Sequence, residues 1–513
     1  VDLLDNIRKA RHDGRIKGVV ARIGDLGAGW AQTAEIRDEL AMLRASGKSV
    51  TALVELELNV ANKEFYLASV ADRIYVPESG APLLTGLAGN YVFLGGLWPK
   101  LDITLQVEQI REYKSAGDSL ARESMSDAHR EMANSILDSI NMHYLQTLAA
   151  ARNLVVEELE EIIDQGPASA KELVDAGVID GVRSFEAILE ELGEAGDDPP
   201  TVGEGVYAGV TLQSLGLGGG PKIAVIHVAG TIVAGSSGSN PGSVGARELS
   251  KALRGAAADD SVKAIVVRVA SPGGSPAGSD EIWQQLRKAA EEKPLVVSMG
   301  DVAASGGYYV AAGAERILAS PTTLTGSIGV VFYKPDVSGL LNRVGIHSES
   351  ISRGRYARLM DLTKRFDDEE LTLIRGRMQS IYDLFLTRVA STRENLDHDA
   401  VDKIGGGRVW TGQQALDVGL VDEIGGFRDA IRAAAAAANI HDVEKASVTY
   451  YPEQNLIEQQ LSLIRSKTGA QTMAQNMHAL LPPWVAASAS PLAAYWALPP
   501  GAYALMPFVV SFD

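Results

Sequence analysis

Two periods alternate along this chain. Short apolar runs, Gly18-Val19-Val20-Ala21-Arg22-Ile23, Val50 to Val54, Ile223 to Val228, Ala264 to Val269 and Leu295 to Val297, read as buried strands. Between them, Leu3 to Ala10 and Thr33 to Ala45 repeat their apolar residues every three or four positions, which predicts helices. Strands separated by helical crossovers predict parallel pairing and an α/β fold. Two longer amphipathic helices are expected, from about Ser126 (a helix-capping residue) to Arg152 and from about Asp367 to Arg393.

The whole pattern occurs twice. IKGVVARI at Ile16 returns as VKAIVVRV at Val262, and Glu35-Ile36 as Glu281-Ile282. FYLASVADRI at Phe65 returns as YYVAAGAERI at Tyr308, Tyr113 as Tyr356, and ELVDAGVIDGV at Glu172 as QALDVGLVDEI at Gln414. Matches in one order at a nearly constant offset identify a tandem duplication of one α/β domain. The expected divisions are a first repeat over 1–192, a linker rich in Gly, Pro and acidic residues over 193–220, a second repeat over 221–445, and an apolar, Pro-rich tail over 446–513. Within the tail, Thr468 to Phe512 carries no Lys, Arg, Asp or Glu, and its prolines argue against a spanning helix. A segment docked on a hydrophobic surface or lying at a membrane interface is expected instead. The opening strand of the second repeat, Ile223 to Val228, has a first-repeat counterpart that would precede Val1. An N-terminal piece, with any signal or anchor, is therefore expected outside this sequence.

Composition narrows the function. A net charge of −18 argues against nucleic acid as a partner. With no cysteine, disulfides and thiolate metal sites are excluded. The eight histidines form no HExxH or comparable spacing, so neither metal nor cofactor is expected. No uninterrupted apolar stretch has the length needed to span a membrane.

The candidate chemistry centres on GDVAASGGYYVAAGAERI, from Gly300. A strand ending at Gly300, a small-residue turn and a helix from Gly306 put Ser305 at a helix start, where unpaired N–H groups stabilise an anion. Ser305 is either a nucleophile or an ordinary helix cap. The repeat sharpens the choice. Asn62 stands at the position of Ser305, and Ala357 at that of Lys114, so each half holds one part of a Ser–Lys pair. Such a pair works only with a neutral lysine. Lowering a pKa of about 10.4 to about 7 costs roughly 4–5 kcal/mol, and burial supplies shifts of up to about 3–5 units. Taken alone, Lys114 reads as a solvated surface charge. SPGG at Ser271 follows a strand, and its glycines allow close backbone approach, so the N–H groups of Gly274 and Gly306 are oxyanion-hole candidates. The first half has Gly27-Ala28 there. Ser327, in LTGSIGV, is either a turn serine or a hydroxyl that orients a neutral lysine.

SPGG, GDVAASGGYY and TGSIGV in that order, with YKSA in the preceding domain, resemble the signal peptide peptidase A family in its long two-domain bacterial form. The resemblance covers residues 1 to about 440. It implies a ClpP/crotonase-like fold and a serine protease whose Ser–Lys dyad is split between the two halves. Matched motif to motif, Ser305 takes the nucleophile's place, Lys114 the general base's, Ser327 that of the serine bonded to the lysine, and Gly274 that of an oxyanion donor. The family degrades signal peptides left in the membrane. The resemblance therefore implies apolar signal-peptide-like substrates, attachment to the inner membrane through an N-terminal segment, a periplasmic catalytic domain and a homotetramer. The anchor lies outside this sequence, and the tail does not map onto the family pattern. Two other readings remain open: a carboxyltransferase or acyl-CoA enzyme of the crotonase fold, and a catalytically inactive scaffold. A Ser-His-Asp protease is disfavoured, because the helix after Ser305 holds no histidine. Whether the pair forms within one chain or between two is also open.

Overall fold

The computed structural model describes residues 2–167, 169–193, 199–238 and 242–451, and the backbone of 501–505. The first half contributes β1 (Gly18–Ile23), β2 (Ser49–Val54), β3 (Arg73–Val76), β4 (Thr104–Gln109) and β5 (Gly181–Val182). β1, β2, β3 and β5 lie side by side in that order, all parallel. Helices Trp30–Ala45 and Asn62–Ala68 make the crossovers. Leu43, Val50, Phe65 and Ile74 form the core between sheet and helices. The predicted long helix spans Asp127–Arg152. Ser126 Oγ accepts from His129 N at 3.2 Å, and Met132, Ile136, Ile140 and Tyr144, four residues apart, bury one face on that core.

The second half runs β6 (Lys222–Ala229), β7 (Thr231–Val233), β8 (Ser243–Gly245), β9 (Val262–Ser271), β10 (Gly273–Gly274), β11 (Leu295–Ala304), β12 (Arg316–Ala319), β13 (Leu324–Gly326), β14 (Val331–Asp336), β15 (Val409–Thr411), β16 (Glu423–Ile424) and β17 (Ser447–Tyr451). β17, β6, β9 and β11 form a parallel sheet. β11 then serves two neighbours. Val296–Ser298 pairs with β12, which pairs in turn with β16, and Val302–Ala304 pairs with β13. The fold is thus α/β, a tandem duplication of one βαβ domain, with β1, β2, β3 and β5 matching β9, β11, β12 and β16. One sequence expectation is corrected. The stretch Asp301–Ala304, read as a turn, is strand, because after a register irregularity between Met299 and Ala303 the chain stays paired with β13. The chain turns only at Ser305.

A third sheet, in the order β4-β14-β18-β10-β7-β8, joins the halves; β18 is Gly501–Leu505. β4 runs antiparallel to β14 from Thr104 opposite Asp336 to Gln109 opposite Val331. Polar contacts reinforce the joint. Arg268 reaches Glu35 at 2.7 and 3.0 Å, Ser298 Oγ at 2.7 Å and Met299 O at 2.9 Å. Asp301 accepts from Ala31 N at 2.9 Å and Gln32 N at 3.1 Å, at the positive end of helix Trp30–Ala45. Gly29 leaves room for that carboxylate; a Cβ there would lie 2.3 Å from it.

The described part of the expected linker docks on the first half. Lys9 Nζ donates to Ala208 O at 3.2 Å and Val210 O at 2.9 Å, and Tyr207 OH donates to Asp13 at 3.2 Å. Past Tyr451, only the backbone of 501–505 falls among the described residues, so the expectation of an apolar docked tail otherwise lies outside them. Among the described residues no helix is long and apolar enough to cross a membrane.

Candidate active site

Ser305 sits where β11 ends and helix Gly306–Ala311 begins. Its backbone has φ 54° and ψ −115°, a conformation that non-glycine residues rarely adopt and that costs about 1–3 kcal/mol. The surroundings hold it there: Ser305 N donates to Gly326 O at 2.8 Å, and Ser305 O accepts from Tyr309 N at 2.8 Å. The side chain makes no cap hydrogen bond, so the ordinary-cap reading does not describe it. The two glycines that follow are needed for space. A Cβ at Gly306 would lie 2.6 Å from Ser279 Oγ and 3.1 Å from both Gly273 Cα and Gly274 N, and one at Gly307 would lie 2.5 Å from Ser271 O. The helix start is thus pressed against the SPGG loop.

Lys114 arrives from the other half, in the turn after β4. Two polar links hold that turn. Arg111, at φ 67°, pairs with Asp402, which also accepts from Tyr382 OH at 2.6 Å. Tyr113 OH donates to Glu131 at 2.9 Å, and Arg408 donates to the same carboxylate at 2.8 Å. The lysine between these links is fully buried. Its Nζ lies 2.8 Å from Ser305 Oγ, 2.8 Å from Ser327 O and 2.8 Å from Ser327 Oγ. All three oxygens are neutral. Burial pushes the Lys114 pKa well below its ordinary value of 10.5. The solvated-surface reading of Lys114 therefore fails, and the contact with Ser305 forms within one chain.

Ser327 is held at φ 51° by its own N–H, which donates to Arg408 O at 2.7 Å. Gly274 has φ 151°, and a Cβ there would lie 2.1 Å from Ile232 O. Gly273 N donates to Ser271 Oγ at 3.1 Å, which fixes the loop. The structure therefore gathers Lys114, Ser305 and Ser327 within hydrogen-bond reach and sets Gly274 against Gly306 beside them. The two histidines weighed for a Ser-His pairing lie on other elements: His347 Nδ1 is 3.1 Å from Asn342 Oδ1, and His398 begins helix His398–Ile404. Among the described residues no His, Asp and Glu group is arranged to hold a metal ion.

Two residues of the site escaped the sequence reading. Gly407, at φ 89°, faces the lysine's backbone; a Cβ there would lie 2.3 Å from Lys114 N and 2.4 Å from its Cα. Gly329 faces the lysine stem, with a Cβ 3.1 Å from Lys114 Cδ. Together they leave space for the lysine that a side chain at either position would crowd. The run Gly405-Gly406-Gly407 was the available signal.

The family profile of Peptidase family S49 matches residues 42–197 and 287–441, one stretch in each half. The chain is 38% identical over 448 residues to Serine protease SPPA, chloroplastic, of Arabidopsis thaliana, covering 85% of this chain and 65% of that protein. It is 34% identical over 467 residues to Protease 4 of Salmonella typhi, covering 88% and 74%. It is 30% identical over 492 residues to Protease 4 of Haemophilus influenzae, covering 92% and 78%.

Proposed function

The chain belongs to peptidase family S49, and from that premise we propose that it is a serine endopeptidase with Ser305 as nucleophile and Lys114 as general base. The observation that carries this reading is the fully buried Lys114 Nζ, 2.8 Å from Ser305 Oγ and bonded only to neutral oxygens. A neutral amine has two N–H donors and one lone pair. It donates to Ser327 O and Ser327 Oγ, which turns the lone pair toward the Ser305 hydroxyl.

Ser305 Oγ then attacks the peptide carbonyl as its proton passes to Lys114. The N–H groups of Gly274 and Gly306 stabilise the oxygen that becomes negative. Lys114, now an ammonium, gives its proton to the departing amine, leaving an acyl-enzyme on Ser305. Water, deprotonated by the same lysine, attacks the ester, and the proton returns to Ser305 as the acid leaves. Every step uses side chains and backbone of this chain, and no cofactor is required.

The proposed substrates are short, extended, apolar peptides of the kind that signal peptides leave behind. Attachment to the inner membrane, a periplasmic catalytic domain and a homotetramer belong to the same proposal; the resemblance of the motifs supports them. The test is hydrolysis of a fluorogenic apolar peptide by wild type, Ser305→Ala and Lys114→Ala, with fluorophosphonate labelling in parallel. Activity and labelling are expected in the wild type alone, with melting temperature and oligomeric state unchanged. Full activity in both variants would end the peptidase reading.

A further inference from the structure

One buried hydroxyl serves both supports of the lysine turn. Tyr382 lies on helix Asp368–Ala390 and is 1% exposed. Its ring packs in the core of the second half with Ile328, Phe385 and Val401. Its OH donates to Asp402 Oδ1 at 2.6 Å and accepts from Gly406 N at 3.2 Å.

Each bond leads to Lys114 by its own route. Asp402, on helix His398–Ile404, pairs through its other oxygen with Arg111, three residues before the lysine. Gly406 precedes Gly407, which lies so close to the lysine's N and Cα that it has no room for a side chain. From there the loop reaches Ser327: Gly407 N donates to Ile328 O at 2.8 Å, and Arg408 O accepts from Ser327 N at 2.7 Å. The loop anchored at Gly406 therefore backs the lysine's main chain and holds the serine whose O and Oγ bond its amine. A lysine needs such a frame. Its side chain is long and flexible, so the place of Nζ depends on where the main chain is held. A misplacement of about 1 Å at a reacting group costs about 10²-fold in rate.

We infer that Tyr382 is a positioning residue for the general base: through Asp402 and Gly406 its hydroxyl fixes the lysine turn where Nζ reaches Ser305. The inference rests on the Ser–Lys reading above and deepens it by naming the group that holds the base in place. Tyr382 takes no proton in the reaction. A phenylalanine would fill the same core space but leave Gly406 N and Asp402 without this partner.

The test sets Tyr382→Phe beside Tyr207→Phe. Tyr207 is also buried, and its OH also donates to a carboxylate, that of Asp13 at 3.2 Å, where the linker docks on the first half. Both variants keep the ring and lose one hydroxyl. With a fluorogenic apolar peptide, Tyr382→Phe is expected to lower kcat by about tenfold or more at unchanged KM. Fluorophosphonate labelling of Ser305 should slow by a similar factor. The rising limb of kcat/KM against pH should move to higher pH, since a loosened turn lets water reach the amine and raises its pKa toward the ordinary value. Tyr207→Phe should match the wild type in all of these. Wild-type kinetics in Tyr382→Phe would overturn the inference. So would equal losses in the two variants, which would trace the effect to a general loosening of the fold. If Tyr382→Phe loses its cooperative melting transition, Asp402→Asn decides. Asparagine still accepts from Tyr382 but gives up the ion pair with Arg111, so kcat should fall by about threefold or more, and an unchanged kcat would overturn the inference. Lys114→Ala tests the underlying reading separately. Full activity there would end that reading and this inference with it, whereas loss of activity there beside wild-type behaviour in Tyr382→Phe would sink this inference alone.

Discussion

The two halves share a scaffold and use the same positions for different ends. Where the second half has Ser305, the first has Asn62, whose buried amide donates to Gly86 O at 2.8 Å and accepts from Thr85 N at 3.3 Å. Those bonds tie down Leu84-Thr85-Gly86-Leu87, the counterpart of Leu324-Thr325-Gly326-Ser327, so Leu87 stands in place of Ser327 and packs on the core. Asn62 is not among the positive-φ residues, whereas Ser305 is held at φ 54°. Ala28 stands in place of Gly274 and already carries a Cβ, while one at Gly274 would strike Ile232 O. The reverse holds for the lysine. Lys114 is fully buried, and its counterpart Ala357 is exposed, in a stretch that also exposes Ile346, Ile351 and Tyr356. Backbone strain, close glycine packing and a buried amine occur together in one place and are relaxed in its copy. That is the pattern expected where strain serves chemistry and is not demanded by the fold.

This contrast can be broken by experiment. The largest effects fall on the pair itself. Ser305→Ala or Lys114→Ala should lower kcat/KM by about 10³-fold or more. Asn62→Ala should leave kcat within about twofold but destabilise the chain by about 1–3 kcal/mol, because it strands buried backbone partners. A folded Asn62→Ala chain without activity would erase the distinction between the halves. Next come the glycines. Gly407→Ala, which forces Lys114 back, and Gly274→Ala should each lower kcat by about 10²-fold, while Gly27→Ala, where a Cβ would meet nothing within 4 Å, should leave kinetics and melting temperature unchanged. Equal losses at Gly27 and Gly274 would show that space at these loops matters to the fold and not to the site. Ser327→Ala should reduce kcat by about tenfold, since Lys114 loses one of the contacts that orient it. Leu87→Ser, the reverse exchange in the first half, should confer nothing on activity.

The smallest effect is on stability against pH, and its sign follows from burial. The folded pKa of Lys114 lies well below 10.5 and the unfolded one near it. Between those values the unfolded chain holds one more proton, so stability rises with pH there, by up to about 1.4 kcal/mol per unit. Denaturant unfolding of Lys114→Met at several pH values should show a slope shallower by that one proton. For the same reason kcat/KM in the wild type should climb with pH through the lowered pKa and then level off, because only the neutral amine is a base. An activity that falls as pH rises over that range would rule out a neutral-lysine base.

Local signals carried the sequence reading a long way. Ser126 and Asp367 announced their helices because a capping residue stood directly before an apolar period. The second of these closes a full capping box, with Asp367 Oδ1 accepting from Glu370 N at 2.9 Å and Glu370 Oε2 from Asp367 N at 3.1 Å. The pairing of Lys114 with Ser305 was legible through the asymmetry of the repeat, while Ser327 entered through LTGSIGV and the resemblance that motif carries. What stayed hidden depends on contacts between distant segments. Asp301 lies inside the most telling motif, yet it clamps the first half's helix at Ala31 and Gln32, 270 and 269 residues away. Nothing in the sequence around Thr104–Gln109 marks it as the partner of Val331–Asp336, and Gly407 differs from a turn glycine only through the lysine it faces. The strand at Asp301–Ala304 was misread because small residues carry a turn signal that pairing with β13 overrides.

The pairing of β4 with β14 has a consequence for how such a chain is made. Lys114 and Ser305 are 191 residues apart and meet only once both halves stand together. On the proposed mechanism, a nascent or clipped chain holding one half carries a serine without a base, or an amine open to water that stays charged at neutral pH. Hydrolysis by that mechanism therefore becomes possible only after the two halves have closed on each other.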